Sequence, residues 1–226
     1  YIAGILCMNS NKKYGFNSKG MPYYLFKPLN KKISCFYVAS TLVVKEKYYE
    51  ALNANQEVIE AISISSYNKE INEVDSRYVN LKFILNDEFI FFSNYNSPKA
   101  FAFNSNNQIA ALIYWSSINV QIRMKAKIKK TSKEFNQNYF FNRSKEKNAI
   151  AISSNQSKLI DSYKQVKENY NNSLKNDDLK KCPEHWGGYS FTPYYFEFWE
   201  GHESRINKRE VFEKIDGAWK HSFLQP

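Results

Sequence analysis

Apolar and polar residues alternate along much of the chain, which is the pattern of β-strands that bury one face and expose the other. The alternation is regular from Val120 to Lys130, where every second residue is apolar until the basic end of the segment. The same pattern predicts strands at residues 58–66, 74–85, 88–94 and 108–115, and at about 187–200, 205–215 and 218–224. Asn86-Asp87 and Asp216-Gly217 predict the tight turns of two hairpins.

Helical spacing of apolar residues is confined to short segments between these strands. It predicts helices at 45–53, 97–104, 132–141 and 157–174, with Ser132 and Ser157 as the N-caps of the last two. Strands separated by a few helices favour an α+β fold, an antiparallel barrel with helices packed outside it. Residues 1–43 fit no part of this pattern. We expect them to be an N-terminal extension of unknown role and residues 44–226 to form the domain.

The composition is that of a globular protein without a membrane span. Of the 226 residues, 43% are apolar, and no apolar run approaches the ~20 residues that cross a bilayer. The cysteines and histidines are too scattered for a metal site or a disulfide framework, which favours a reducing, cytoplasmic location. These residues are Cys7, Cys35, Cys182, His185, His202 and His221.

The formal net charge of +10 permits three explanations. A basic chain can bind nucleic acid, but lysine and asparagine recur along the whole sequence, which indicates a general compositional bias. The basic, alternating segment Lys125–Lys130 is explained more simply by a strand with one solvated face. A protein that holds phosphorylated ligands also needs local positive charge. The last two explanations are compatible, and a nucleic-acid partner is the least favoured.

Aromatic residues, glycines and arginines are concentrated near the C-terminus, a combination that can stack on a flat ring and hold an anion. The segments are His185-Trp-Gly-Gly-Tyr189, Glu197-Phe-Trp-Glu-Gly201, Arg205-Ile-Asn-Lys-Arg209 and the terminal Leu224-Gln-Pro226. They resemble the signature of the pyridoxamine 5'-phosphate oxidase family, W-G-G-[YF], E-F-W-x-G, R-L-H-D-R and L-x-P. The resemblance extends from about Glu60 to Pro226. It implies that 44–226 is an oxidase domain, an antiparallel split β-barrel with peripheral helices that dimerises and binds FMN between subunits.

Several earlier motifs resemble the cofactor contacts of that family. Arg77-Tyr-Val-Asn-Leu-Lys82 is similar to R-x-V-L-L-K, and Phe91-Phe-Ser-Asn94 with Ser97-Pro-Lys99 is similar to F-Y-T-N and S-R-K, with Pro98 in place of an arginine. The cofactor set that the resemblance implies is Arg77, Lys82, Phe92, Ser93, Lys99, Gln121, Gln156, Ser157, Trp199 and Arg209. Taken alone, Arg77 and Lys82 could be surface cations on opposite sides of a strand, and Trp199 could be a core aromatic.

The resemblance also implies a set of substrate contacts. Tyr139 and Arg143 match Y-F-x-x-R, and residues four apart on a helix emerge on one face and can grip one phosphate. Lys147 stands where the family has a serine, and Lys82 completes this group. Arg205 and Asn207 match R-L-H and are the expected catalytic residues, although asparagine carries no charge and can only hydrogen-bond.

The activity implied by this resemblance is the FMN-dependent oxidation of pyridoxamine or pyridoxine 5'-phosphate to pyridoxal 5'-phosphate, with O2 as acceptor. The cofactor performs the difficult step, so the protein supplies position and charge. Three alternatives remain open. The chain could be a divergent member with a changed substrate, a flavin or pyridoxal-phosphate-binding protein with little oxidase activity, or a basic RNA-associated module.

Overall fold

The computed structural model describes residues 39–226. Its strands form one antiparallel sheet in the order β3-β2-β1-β4-β5-β6-β7-β8. Because β3 also pairs with β6, the first six strands close into a barrel, and β7 and β8 continue outward from β6. The strands are β1 (Ala61–Asn68), β2 (Glu73–Leu85), β3 (Glu88–Asn94), β4 (Gln108–Trp115), β5 (Val120–Lys130), β6 (Trp186–Glu200), β7 (Lys208–Ile215) and β8 (Ala218–Leu224).

Alternation in the sequence places the apolar side chains inside this barrel. Along β4 and β5, buried and exposed positions alternate almost without interruption, as the pattern predicts. Aromatic residues of β3 and β6 fill the interior across their shared ladder, where Phe89 stacks on Phe191 and Phe91 stacks on Tyr189. Each such side chain contributes about 1.5–3 kcal/mol when fully buried, so the β3–β6 seam stabilises barrel closure strongly.

Helices lie outside the barrel, as expected for this α+β architecture. Among the described residues they are α1 (Ala39–Asn53), α2 (Pro98–Ser105), α3 (Lys133–Phe141), α4 (Lys145–Ser153) and α5 (Tyr163–Asn176). The first is longer than predicted, and it buries Val44, Tyr48 and Ala51 against the barrel core. The expected boundary at residue 43 falls within this helix, and the division into extension and domain stays a prediction. Residues 1–38, with Cys7 and Cys35, lie outside the described residues.

Turn chemistry explains where the predicted strand limits hold and where they shift. Asp216 and Gly217 have φ values of 52° and 82° and form the predicted hairpin turn between β7 and β8. Val58 has φ 47°, so β1 begins only at Ala61. Arg205 has φ 59° in the loop that follows β6, so β7 begins at Lys208 and not at 205.

The predicted helix from Ser157 to Leu174 is wrong in its first part. Ser157 is exposed, with φ 68°, and does not cap a helix. Ser162 is the N-cap of α5, because its Oγ accepts a hydrogen bond from the Gln165 N–H at 3.2 Å. The sequence reading also missed α4, which Ser144 caps by accepting from the Lys147 N–H.

Across residues 39–226, no helix has the length and apolar character required to cross a membrane. The same part of the chain contains no group of histidine, cysteine, aspartate and glutamate side chains that could hold a metal ion.

Candidate functional site

A cavity of about 340 Å³ lies beside the barrel, where β2, β3 and the start of β6 meet α2, α3 and α4. Many of the residues singled out in the sequence line it: Lys82, Phe92, Ser93, Lys99, Tyr139, Arg143 and Gln156. Its remaining lining residues are Tyr78, Val79, Asn80, Asn94, Ile150, Ala151, Ser154 and Trp186. The cavity therefore gathers residues that are far apart in the sequence.

Lys99 is a buried cation at this cavity, and no carboxylate of residues 39–226 forms an ion pair with it. Its side chain lies in the first turn of α2, is 8% exposed, and donates to the Ser97 Oγ at 3.2 Å. Burial lowers the pKa of Lys99, the nearby Arg77 guanidinium lowers it further, and Asp75 partly offsets both. Among the described residues no ion pair involves Lys99. An ammonium group that has lost its water and lacks a counterion fits an anion such as a phosphate.

Arg77 supports this end of the cavity from β2. It donates through Nη1 to the Ser66 Oγ at 2.8 Å and to the Ile64 carbonyl at 3.1 Å, and it pairs with Asp75. Arg77 is not a lining residue, but its charge reaches Lys99. The guanidinium is therefore fixed next to the unpaired lysine.

Pro98 occupies the first turn of α2, where the fixed φ of proline suits the start of a helix. Its missing N–H costs nothing at this position. The preceding Ser97 is fully buried and donates through Oγ to the Asn94 carbonyl at 2.7 Å. The chain at this point offers Ser93 and Lys99 to an anion, without the arginine of the family pattern.

Arg143 is a second cation that lines the cavity, and it is half-buried. Its guanidinium lies 4.9 Å from the centre of the Trp186 ring, and Nη1 donates to the Lys147 carbonyl at 2.8 Å. Burial lowers the pKa of Arg143. The nearby Cys182 thiol supplies no charge at neutral pH, because burial raises its pKa to about 11. Within the described part of the chain Arg143 has no carboxylate partner, so it too can receive an anion.

Tyr139 is held at the cavity by a stack of aromatic rings. Phe92 lies 3.9 Å from Tyr139 and 5.1 Å from Trp186, centre to centre, with all three planes nearly parallel. Burial raises the pKa of Tyr139, so its hydroxyl stays protonated and can donate to a ligand. Helix α3 ends at Phe141, so Tyr139 and Arg143 do not share one helix as predicted, although both line the cavity.

Lys82 and Lys147 add positive charge near Arg143. Burial lowers the pKa of Lys82; Glu60 opposes this shift, while Lys147 and Arg143 enhance it. The Lys82 Nζ lies 4.0 Å from the Glu60 Oε1. A β-bulge between Leu81 and Phe83 interrupts the strand at Lys82, so the strict alternation behind the predicted opposite faces of Arg77 and Lys82 does not hold.

Gln121, Trp199 and Arg209 lie elsewhere, in one row across three strands. Gln121 on β5 is directly opposite Trp199 on β6, which is directly opposite Arg209 on β7. Gln121 lines a second, smaller concavity of about 240 Å³ together with Arg123, Lys125 and Tyr195. None of the three predicted cofactor residues in this row lines the first cavity.

Arg205 and Asn207 belong to the loop between β6 and β7. Arg205 is exposed, and the Asn207 Oδ1 accepts a hydrogen bond from the His202 N–H at 3.0 Å. Neither residue lines the cavity within the same chain. The expected catalytic pair is therefore separate from the substrate residues of its own subunit.

Gln156 reaches the cavity from the segment that follows α4, but the neighbouring Ser157 does not. Ser157 does not cap α5, which begins at Tyr163, so it presents no helix N-terminus to the cavity.

Sequence reasoning overlooked several cavity residues. Trp186 was recognised as part of the W-G-G motif. Its contact with Arg143 could not be predicted, because the spacing of residues in the sequence does not show that these two segments lie close together. Asn94 is 6% exposed and donates to the Ser154 carbonyl at 3.3 Å, which ties β3 to the end of α4. The sequence feature that could have identified Asn94 is its place at the end of the motif Phe91-Phe-Ser-Asn94. No sequence feature pointed to Ile150 and Ala151, because α4 itself was not predicted.

Comparison with known proteins identifies relatives of this chain. A family model described as the pyridoxine 5'-phosphate oxidase C-terminal dimerisation region matches residues 186–226. Pyridoxine/pyridoxamine 5'-phosphate oxidase 1 of Hydrogenovibrio crunogenus is 33% identical over 180 residues, which cover 78% of this chain and 83% of that protein. The corresponding oxidase of Leptospira biflexa is 34% identical over 168 residues, covering 74% and 79%.

Solved structures show the same fold. PhzG from Burkholderia lata, in complex with tetrahydrophenazine-1-carboxylic acid, matches with a TM-score of 0.79 and 21% identity over 83% of this chain and 92% of that chain. A pyridoxamine 5'-phosphate oxidase-related, FMN-binding protein from Nostoc punctiforme matches with a TM-score of 0.64 and 10% identity, covering 85% and 98%. The predicted split-barrel architecture is thereby confirmed.

Proposed function

Because the chain belongs to the pyridoxine/pyridoxamine 5'-phosphate oxidase family of oxidoreductase enzymes, we propose that it oxidises pyridoxamine or pyridoxine 5'-phosphate to pyridoxal 5'-phosphate. In this proposal FMN is the cofactor and O2 the acceptor, with hydrogen peroxide as product and ammonia released from the amine substrate. The observation that carries the proposal is one cavity lined by two cations, the buried Lys99 and the half-buried Arg143, neither of which pairs with a carboxylate among the described residues.

The Lys99 end of the cavity fits the phosphate of FMN. Ser93 offers a hydroxyl there, and Arg77 adds a fixed positive charge. Bound FMN would accept the hydride from the substrate carbon and be reoxidised by O2. The residues of this chain would then have to orient the two molecules, exclude water and balance charge.

The Arg143 end fits the phosphate of the substrate. Arg143 and Tyr139 can donate hydrogen bonds, and Lys82 and Lys147 add charge. Hydrogen bonds to charged groups contribute about 1.5–3 kcal/mol each, so this group of donors favours a phosphorylated substrate over its unphosphorylated analogue.

We propose that the active unit is a homodimer in which a second copy completes each cavity. Gln121, Trp199, Arg209 and the loop of Arg205 and Asn207 are remote from the cavity of their own chain. The outer face of the barrel exposes Leu112 by 38%, Tyr114 by 53% and Tyr78 by 76%. Apolar exposure of this kind suits a protein interface, and the description of the matched C-terminal region agrees with it.

A second candidate is a family member with a changed substrate or little oxidase activity. Asn207 uses its Oδ1 to hold the His202 backbone, so it supplies only its amide N–H groups to a ligand. Pro98 supplies no side-chain donor to the phosphate end. Both observations favour a lower oxidase activity at a site whose other residues are in place.

Purified protein incubated with FMN and then desalted tests the proposal. We expect a retained flavin spectrum and, on addition of pyridoxamine 5'-phosphate in air, equal amounts of aldehyde and peroxide. Retained flavin without turnover would favour the second candidate, and a colourless protein would contradict both.

The variant Arg205→Ala tests the role of the loop. We expect a sharp loss of turnover with FMN still bound, and a comparable loss of FMN would contradict this assignment. The cytoplasmic location and the lack of a nucleic-acid partner stay predictions.

A further inference from the structure

Glu197 is a buried carboxylate for which the proposed reaction has no use. It lies near the C-terminal end of β6, three residues before Glu200, and its side chain is 2% exposed. Leaving a carboxylate unpaired in such a place costs several kcal/mol, so its partners must balance the charge.

Two arginines from the neighbouring strands supply that balance. The Arg123 Nη1 donates to the Glu197 Oε2 at 2.9 Å from β5, where Arg123 is directly opposite Glu197 in register. The Arg209 Nε and Nη2 donate to the Glu197 Oε1 at 2.9 and 2.8 Å from β7. The Tyr195 hydroxyl donates to Oε2 at 3.0 Å. Two positive charges thus share one negative charge, and the group keeps an excess of positive charge.

These contacts fix the arginines in orientation as well as in place. Arg209 uses Nε and Nη2 on Glu197 and Nη1 on the Gln225 carbonyl at 3.0 Å, so the guanidinium plane cannot rotate. The Arg123 side chain is 51% exposed and lines the smaller concavity, to which Gln121 also contributes. Each arginine still has N–H groups that Glu197 does not use.

We propose that Glu197 is a positioning residue for cofactor binding, and that Arg123 is a cofactor-binding residue alongside Arg209. Glu197 holds the two guanidinium groups next to Gln121 and Trp199, so that an electron-rich part of the flavin meets two oriented cations. Orientation before binding removes the entropy that free side chains would lose on binding. This inference rests on the proposed FMN dependence.

A purely structural role for Glu197 makes a different prediction. In that case its loss lowers the stability of the sheet and leaves the affinity of the folded protein for FMN unchanged. Affinity must therefore be measured separately from stability, by titrating the apoprotein with FMN and following the quenching of flavin fluorescence.

The first test compares Glu197→Gln with Glu200→Gln. Glutamine has the same size but no charge, so at position 197 it loosens both arginines, and we expect the Kd for FMN to rise about tenfold or more. Glu200→Gln removes the same charge from the same strand, but Glu200 pairs with Lys47 and Lys208 and does not line the concavity. We expect its Kd to stay within about threefold of wild type. An unchanged Kd in folded Glu197→Gln would overturn the proposal.

The second test remains decisive if Glu197→Gln does not fold. Arg123→Gln and Lys127→Gln remove the same charge from the same exposed face of β5, but Lys127 does not line the concavity. We expect a rise in Kd of about tenfold for Arg123→Gln and little change for Lys127→Gln. Equal effects would show that only net charge matters and would overturn the role of Arg123.

A third variant separates this inference from the proposed function. Lys99→Met should weaken FMN binding if the cavity holds the cofactor at all. Weak binding in Lys99→Met with normal binding in Glu197→Gln and Arg123→Gln would contradict only the inference. If wild-type protein does not bind FMN, the proposed function itself fails.

Discussion

The cavity beside β3 and the arginine group around Glu197 both concentrate positive charge, but they differ in whether a carboxylate balances that charge. In the cavity, the buried Lys99 and the half-buried Arg143 lie beside a hydroxyl, a carbonyl and an aromatic ring, and no carboxylate among residues 39–226 pairs with either. Around Glu197, Arg123 and Arg209 share a carboxylate. Unpaired cations lower the stability of the free protein and gain most from an anionic ligand. Cations that are paired with a carboxylate avoid this loss of stability, and the carboxylate fixes the orientation of their side chains.

The largest expected effect comes from breaking the paired group. Glu197→Leu leaves two arginines facing each other, and removal of one partner from a buried ion pair typically costs about 3–5 kcal/mol. We expect the free energy of unfolding of the apoprotein, measured with urea, to fall by about 3 kcal/mol, since both arginines keep some contact with water. The exposed Glu203→Leu is the control and should change it by less than about 0.5 kcal/mol. A similar loss in both variants would contradict the comparison.

Removing an unpaired cation should affect ligand binding and not stability. In Arg143→Leu we expect kcat/KM for pyridoxamine 5'-phosphate to fall about 100-fold, because charged hydrogen bonds of about 1.5–3 kcal/mol are lost. The free energy of unfolding should stay the same or rise. Arg143→Lys should recover only part of the activity, since lysine lacks the planar fork of arginine. A marked loss of stability in Arg143→Leu would show that this cation is also structural.

Adding a cation at the phosphate end sharpens the comparison further. Pro98→Arg restores the arginine of the family pattern next to Lys99, and we expect FMN to bind about tenfold more tightly. The apoprotein should become slightly less stable, because a further unpaired charge joins Lys99 and Arg77. Titration with FMN and urea unfolding of the same sample measure both effects. Unchanged affinity would show that position 98 does not reach the phosphate.

The smallest expected effect is a dependence of stability on pH. Burial holds the pKa of Lys99 in the folded apoprotein below its ordinary value of 10.5. Below the folded-state pKa the penalty of the buried charge is present in full. As pH rises from the folded-state pKa toward 10.5, the folded state loses its proton first and stability is regained. Lys99→Met should therefore be more stable than wild type at pH 7, and in thermal unfolding this advantage should shrink as pH rises toward 10.5. A constant difference would contradict the assignment.

The barrel could be predicted from the sequence because its strands carry a local signal. Alternation set the limits of β3, β4 and β5, and turn residues set the hairpin at Gly217. Helices were harder: several serines compete as N-caps between Ser144 and Ser162, and α4 has almost no apolar stripe. Capping preferences alone could not choose among these serines.

The site was predictable only as a set of residues. Motif resemblance named Lys99, Arg143 and Arg209, but not which of them share a cavity. The contact between Arg123 and Glu197 depends on the register of β5 against β6. The two residues are 74 positions apart in the sequence, so this register is visible only in the folded structure. The bulge at Lys82 likewise follows from pairing with β3 and not from residue type.

The pairing of β3 with β6 also bears on how the protein is made. Phe89 pairs with Phe191, and Ser93 pairs with Gly187. A ribosome must therefore add roughly 100 residues after the first of these strands before the second can pair with it, a delay that long-range sheets share. Until then the barrel has an open edge at β3, so the cavity lined by β3 and the start of β6 can form only late in synthesis.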